Sequence, residues 1–401
     1  MFFLDRAFCY PEALSKALHD AIWKSTGYSE KEVKRRSESL LLLWPKLAED
    51  LGTRNEKENH YSEKRDQALA YASYYLPANA PKIPLILEEA QLLGLDVLAE
   101  KNRWLDFGSG PGTALWGAVW WAKAYGRNFH FQGFEQSPHF VDYASQFAQG
   151  LRSYHSEHQA SFTNFQGKSA KSLEKVLDRN PAEIISFMNS FHEFFPTLEG
   201  KIEAGTLILR NLRNQFRKDG RPRWFLLVEP ASKQNSRDLA SCLRAWQDAK
   251  LAKVLLPCFS DRACGALSNP KDWCHEAVDC EFPEFVGAIG AGAGLRKESV
   301  LFSYALISVG GEFPDWPQKT KRMVSQRLEQ KGQTEAYFCC EEGKIRCRVQ
   351  HSKTLPNTEA FHHFTRGTLL QTLSLGEKGD VLEMQPLQTK FNYTETLFPK
   401  V

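Results

Sequence analysis

Two groups of residues in this chain have the types and spacing to do chemistry. The first is Asp106-Phe107-Gly108-Ser109-Gly110-Pro111-Gly112, where three glycines fall at every second position behind a carboxylate. Glycine there lets the backbone turn sharply and approach a ligand with no Cβ in the way, and a helix that follows aims its free N–H groups at that ligand. The segment reads as a loop cradling a nucleotide-type cofactor; the alternative is an ordinary glycine turn between strand and helix. The second group is cysteine, seven of the nine lying between positions 258 and 347. Cys258, Cys264, Cys274 and Cys280 are separated by five, nine and five residues, with proline, glycine and asparagine between them and no helical or strand periodicity. Thiolates on irregular loops are how proteins hold zinc or an iron–sulfur cluster, the metal replacing the missing core. The spacing lacks the paired C-x-x-C of a zinc knuckle, which counts against zinc. The bland alternative is that these are small buried hydrophobes.

The elements around the glycines sharpen the first reading. A carboxylate two residues before G-x-G-x-G, in place of G-x-G-x-x-G, is the pattern of S-adenosylmethionine methyltransferases. Trp104 to Phe107 reads as a strand end, and Ala114 to Ala124, small, apolar and rich in tryptophan, as a helix buried against a sheet. Phe129 to Glu135 alternates as a second strand and ends on a carboxylate 23 residues after Gly112, where doubly wound folds place the acid that binds a ribose. Further strands at Ala182 to Met188 and Trp224 to Val228 end in Asn189-Ser190-Phe191-His192-Glu193 and Glu229-Pro230. Carboxyl ends of strands are where open α/β sheets bind ligands. The expected cofactor set is therefore Asp106, Gly108, Ser109, Gly110, Pro111, Gly112 and Glu135, with Asn189 and Ser190. Asn189, His192 and Glu193 are the candidates for catalysis, although a lone histidine is more often structural. No Asn-Pro-Pro-Tyr or Asp-Pro-Pro-Tyr segment, the mark of amino-group methylation of bases, occurs.

Composition sets the frame. The 401 residues, 42% apolar, suffice for two or three domains with a sizeable core. No apolar run approaches the roughly 18 residues that span a bilayer, and the first residues read as neither signal nor transit peptide, so the expectation is a cytoplasmic protein, monomeric and off the membrane. A net charge of +3 leaves contact with nucleic acid to local patches. Such patches are Arg210, Arg213, Arg217, Lys218, Arg221 and Arg223, with weaker ones at Lys31, Lys34, Arg35, Arg36 and at Lys319, Lys321, Arg322; the alternative for each is a solvated face. By texture the chain divides into a helical region over 1–100, broken around Pro77 to Pro81, an α/β domain over 101–312 with a cysteine-rich insertion at about 255–285, and a small β-rich domain over 313–401.

The chain resembles the methyltransferase-like family of the mitochondrial ribosomal small subunit protein 22, as a bacterial-type member. The resemblance covers most of the chain. It rests on Ala68-Leu69-Ala70-Tyr71-Ala72 with Leu76-Pro77-Ala78, on Leu105 through Ala114, on Val228-Glu229-Pro230, on Pro257-Cys258 with Cys264 and Trp273-Cys274-His275, and on Phe302-Ser303-Tyr304. It implies a class I S-adenosylmethionine methyltransferase fold, Rossmann-like, and a role in assembly of the small ribosomal subunit through its rRNA, with methyl transfer plausible. It also implies a four-iron, four-sulfur (4Fe-4S) cluster on Cys258, Cys264 and Cys274, with a fourth ligand at Cys339, or at Cys340 beside it. Cys280 departs from the family pattern and leaves a rival in which the four upstream cysteines form a local zinc or cluster site. Two other classes stay open: a small-molecule or protein methyltransferase with a structural zinc, its pocket shaped by Trp116 and Phe191, and a radical enzyme, for which the C-x-x-x-C-x-x-C motif is absent.

Overall fold

The computed structural model describes residues 8–42, 64–99, 102–167, 169–258, 264–310, 320–352, 361, 364–376 and 379–386. Nine strands among them build one sheet: β1 (Phe8–Cys9), β2 (Asn102–Phe107), β3 (Phe129–Glu135), β4 (Gln159–Asn164), β5 (Ile184–Met188), β6 (Arg223–Pro230), β7 (Lys253–Leu256), β8 (Glu276–Glu281) and β9 (Ser299–Val309). Their order is β1-β8-β9-β6-β5-β2-β3-β4, with β7 also on β9. Strands β2 to β6 are parallel, and β9 runs antiparallel to β6. This is the α/β, Rossmann-like architecture expected. The order reverses at β2 and β5, so their carboxyl ends open a crevice where the glycine loop emerges.

Central parallel strands are covered on both faces and read as unbroken apolar runs. Accordingly β5 is buried throughout, and β6 sends Leu226 and Val228 into one core and Phe225 and Leu227 into the other. Helices Thr113–Ala124 and Pro138–Leu151 cover the first face together with the N-terminal helices; Ala170–Arg179, Leu198–Asp219 and Lys233–Asp248 cover the second. No helix among the described residues is long and apolar enough to cross a membrane.

The N-terminal region departs from a purely helical pattern. Phe8 and Cys9 pair in parallel with Cys280 and Glu281 of β8, so the region contributes an edge strand, and Cys280 lies on a strand and not in the irregular segment read from sequence. The helical break expected around Pro77 to Pro81 falls at Ala80–Pro81 and not at Pro77. A π turn at Tyr71–Tyr75, in which the Leu76 N–H reaches the Tyr71 carbonyl, leads into Leu76–Asn79 with proline in the first turn, where no intrahelical donor is needed. Helix Lys82–Leu92 then lies across Thr113–Ala124. Of the leucine-rich face at Ser39 to Trp44, only the part up to Leu42 lies within the described residues.

The loop between β7 and β8 is anchored at both ends by one strand. β7 pairs with the second half of β9 (Val254 with Ile307) and β8 with the first (Ala277 with Leu301). Six further strands, β10 (Lys321–Met323), β11 (Leu328–Gln330), β12 (Gln333–Cys340), β13 (Gly343–Gln350), β14 (Leu369–Leu375) and β15 (Val381–Pro386), form a second sheet with its own core around Phe338, Phe361, Phe364 and Leu370.

Gly117 is where the N-terminal helices meet the cofactor half of the sheet. A Cβ there would lie 2.5 Å from the Ala80 carbonyl oxygen and 2.7 Å from the Ile83 Cβ. Alanine gains about 1 kcal/mol of helix propensity over glycine, but overpacking against backbone costs about 1–3 kcal/mol. Gly117→Ala is therefore expected to lower stability, read as a lower urea midpoint at unchanged slope.

Candidate functional site

All three loop glycines have positive φ: Gly108 at 69°, Gly110 at 53° and Gly112 at 91°. A side chain is strained at each, and at Gly108 a Cβ would also fall 2.5 Å from the Ser190 Cβ. The loop hangs from the end of β3, the Gly108 and Ser109 N–H groups donating to the Phe134 carbonyl at 2.8 and 3.2 Å. Glu135, expected as ribose ligand, is buried and engaged by the loop: Oε2 accepts from the Gly110 N–H at 2.9 Å and Oε1 from the Ser137 N–H at 2.8 Å. Burial raises its carboxyl, and those N–H groups pull the other way. Ser190 is likewise engaged, its hydroxyl donating to the Phe107 carbonyl at 2.6 Å and clasping β2 to the end of β5.

Asp106 is fully buried. Trp104 Nε1 donates to Ser186 Oγ at 2.7 Å, and Ser186 Oγ donates to Asp106 Oδ1 at 2.5 Å. Asp106 Oδ2 and Ser109 Oγ are buried with no hydrogen-bond partner among the described residues. Burial pushes the Asp106 carboxyl up to about 7 despite the serine, with Glu135 adding to the rise.

Along the same edge Asn189 adopts φ 56° and accepts from Lys82 Nζ at 3.1 Å. His192 Nδ1 lies 2.7 Å from Glu229 Oε2, while Glu229 Oε1 accepts the Phe191 N–H at 3.1 Å. Burial pulls the imidazole down, but the Glu229 carboxylate outweighs it and the net shift is upward. Glu193 stands within electrostatic reach of Glu135 and Tyr71. The structure thus brings Asp106, the glycines, Glu135, Asn189, Ser190, His192 and Glu193 to one edge. Sequence reasoning missed Lys82, Ser186 and Glu229 as side chains of that site. The available signals were the one charge opening the apolar run Lys82 to Leu87 and the acid closing β6.

The cysteines gather elsewhere. Cys258, Cys264, Cys274 and Cys339 each lie within electrostatic reach of the other three. They line a cavity of about 60 Å³ walled also by Leu239, Leu243 and Tyr304. Burial pushes the Cys258 and Cys274 thiols well up, and the neighbouring thiols push them further. Cys340 also borders the cavity but gives its Sγ–H to the Gly343 carbonyl at 3.2 Å, and Cys280 sits beside Cys9 at the sheet edge. Among the described residues no three His, Cys, Asp or Glu side chains converge as they would on a single ion.

The cysteine loop is held independently of any metal. The Arg237 guanidinium donates to four of its carbonyls, Ala266, Leu267, Asn269 and Asp272, at 2.8–3.3 Å. Ser303 Oγ donates to the Cys274 carbonyl at 2.8 Å and Arg366 to that of His275 at 2.9 Å. Lys344 pairs with Asp272. Arg322, read from sequence as part of a basic patch, is instead buried between Glu89 and Glu276 and donates to the Pro257 carbonyl at 3.1 Å; Lys319 lies outside the described residues. In the other patch Arg213 caps the Lys250 and Leu251 carbonyls and Arg223 is buried against Asp219 and Glu183, leaving Arg210, Arg217, Lys218 and Arg221 exposed, the last within 3.5 Å of Glu183.

The family model described as mitochondrial small ribosomal subunit Rsm22 matches residues 65–362. No curated protein matches the chain. Solved structures similar to it include an O-methyltransferase family protein from Burkholderia thailandensis (12% identity, 67% of this chain and 69% of that one, TM-score 0.32). The methyltransferase domain of the citrinin polyketide synthase follows (14%, 75% and 69%, 0.32), as does the geranyl diphosphate C-methyltransferase of Streptomyces coelicolor, solved with S-adenosyl-L-homocysteine (18%, 63% and 82%, 0.25). Likeness at that level says nothing of this chain's substrate.

Two outcomes follow from the geometry. Folding raises the Asp106 pKa from the ordinary 3.8 to about 7, so its ionised form destabilises the fold, a penalty absent below about pH 4 and full above about pH 7. Asp106→Asn should therefore stabilise more at pH 8 than at pH 5 in thermal melts. Arg237→Met removes the donor from four carbonyls at once, and in metal-free protein Cys264 and Cys274 should then alkylate several-fold faster, as measured by mass spectrometry.

Proposed function

The chain belongs to the Rsm22 family of mitochondrial small ribosomal subunit proteins, and on that footing we propose that it is an S-adenosylmethionine-binding, iron–sulfur-carrying, methyltransferase-like factor of the small ribosomal subunit and its rRNA. The observation that carries the cofactor assignment is the glycine loop. Three successive positive-φ glycines open a helix at the switch point of the sheet, and beside them Asp106 Oδ2 and Ser109 Oγ are buried oxygens awaiting partners. Orphaned buried oxygens are costly to keep and are the usual mark of a ligand that completes them.

When bound, the cofactor supplies an activated methyl group. The chain's part is to hold donor and acceptor in line and to exclude water, which can lower a barrier by about 7–11 kcal/mol. His192, its Nδ1 held by Glu229, has its Nε2 as the remaining site for a proton from the acceptor.

The cysteine site fits a cluster better than a zinc ion. Four thiols on an irregular loop and a facing hairpin supply the donor set. A tetrahedral zinc would draw its sulfurs to within roughly 3.8 Å of one another, whereas the described side chains converge on no single ion. The 60 Å³ cavity is several times the roughly 10–15 Å³ that one water needs. A cluster held by Cys258, Cys264, Cys274 and Cys339 would cross-link the β7–β8 loop to β12 and could exchange an electron.

Protein purified anaerobically should carry about four irons per chain, lost in Cys339→Ser and kept in Cys340→Ser and Cys280→Ser; retention in Cys339→Ser would overturn the bridging assignment. Labelled methyl from S-adenosylmethionine, offered with small subunits from cells lacking the protein, tests the activity. Label in rRNA that disappears with Gly108→Ala establishes an rRNA methyltransferase. No label with subunit binding intact establishes a binding factor. No co-sedimentation with subunits even at low salt defeats the ribosomal assignment.

A further inference from the structure

Lys82 is the first residue of its helix and, with Lys201 and Lys321, one of three buried lysines among the described residues, 3% exposed. Its Nζ has the Asn189 amide oxygen at 3.1 Å and the ring of Phe302 at 6.0 Å. Glu229 favours its charge from further off, while burial and Lys297 oppose it. One amide oxygen and a ring face at 6.0 Å are thin compensation for a buried ammonium, whose desolvation costs several kcal/mol. Such a group is kept where it has a task.

An ammonium has donors only, so the amide oxygen of Asn189 must face it, and the amide nitrogen, itself donor-only, forms the other end. Met188 and Ser190 on either side are buried, while Asn189 is partly exposed at the carboxyl edge. We propose that Lys82 and Asn189 are the acceptor-recognition pair of this site: Lys82 fixes the amide by its oxygen, and Asn189 meets the methyl acceptor with N–H groups. The acceptor class is then a nucleobase edge bearing a carbonyl oxygen or ring nitrogen. An exocyclic amino group, a donor, would be left with only the second lone pair of the amide oxygen that Lys82 already holds. The assignment rests on the cofactor-loop reading and gives Lys82 a positioning role.

Asn189→Asp separates this from a purely structural role, because aspartate keeps the oxygen that Lys82 holds, tolerates the left-handed backbone and replaces the donor by a second oxygen, its charge balanced by the ammonium. Saturation-transfer NMR on protein loaded with S-adenosylhomocysteine, with uridine and cytidine 5′-monophosphate as probes, should show binding to the wild type. Asn189→Asp should weaken it at least about tenfold, the factor one lost hydrogen bond makes, with the melting temperature undiminished. Lys82→Met should weaken nucleotide binding in the same way and Lys82→Arg restore part of it. Wild-type-like binding by Asn189→Asp, or no nucleotide binding by the loaded wild type, overturns the proposal. Failure of S-adenosylhomocysteine to bind the wild type condemns the cofactor reading instead, and nucleotide binding that Asn189→Asp abolishes would still uphold the pair.

Discussion

The arrangement of the molecule turns on one buried guanidinium. Arg322 of β10 reaches Glu89 of helix Lys82–Leu92, Glu276 of β8 and the carbonyl of Pro257 beside Cys258. Glu89 in turn accepts from the Tyr304 hydroxyl of β9 at 2.6 Å. Burial pushes the guanidinium down to about 9, so it stays charged at neutral pH, and removing both carboxylates would strand that charge in the interior. A charge in that position has few tolerable environments. It therefore fixes where the N-terminal helices, the main sheet, the cysteine loop and the second sheet must meet.

The two candidate sites share supports through that junction. Lys82 and Glu89 stand two helical turns apart on one helix, the first at the glycine-loop edge and the second at the cysteine nest. On β9, Phe302 approaches Lys82, Ser303 holds the Cys274 carbonyl and Tyr304 holds Glu89. The cysteine loop and Lys82 therefore rest on the same helix and strand.

The cofactor edge is built at a cost. The Asp106 carboxylate is sunk in apolar surroundings with one serine for company, three residues take left-handed backbone in succession, and Asn189 adds a fourth. None of these choices favours stability, and their concentration on one edge is what a binding site looks like when its ligand supplies the missing partners.

By itself the sequence determined the local features, because these depend on residues near in the chain. The positive-φ glycines, the strand ending at Glu135 and the apolar runs of β5 and β6 are legible, since glycine spacing and burial period act over a few residues. The nearness of Cys258, Cys264 and Cys274 was legible too. What distant segments do to one another was not. No local rule says that Arg322 is core and not a basic patch, that Phe8 and Cys9 complete the sheet beside Cys280, that Glu135 and Ser190 hold the loop, or that Lys82 finds Asn189 across 107 positions. Those partners are chosen by the desolvation of charged and polar groups, which is defined only once the chain has closed around them.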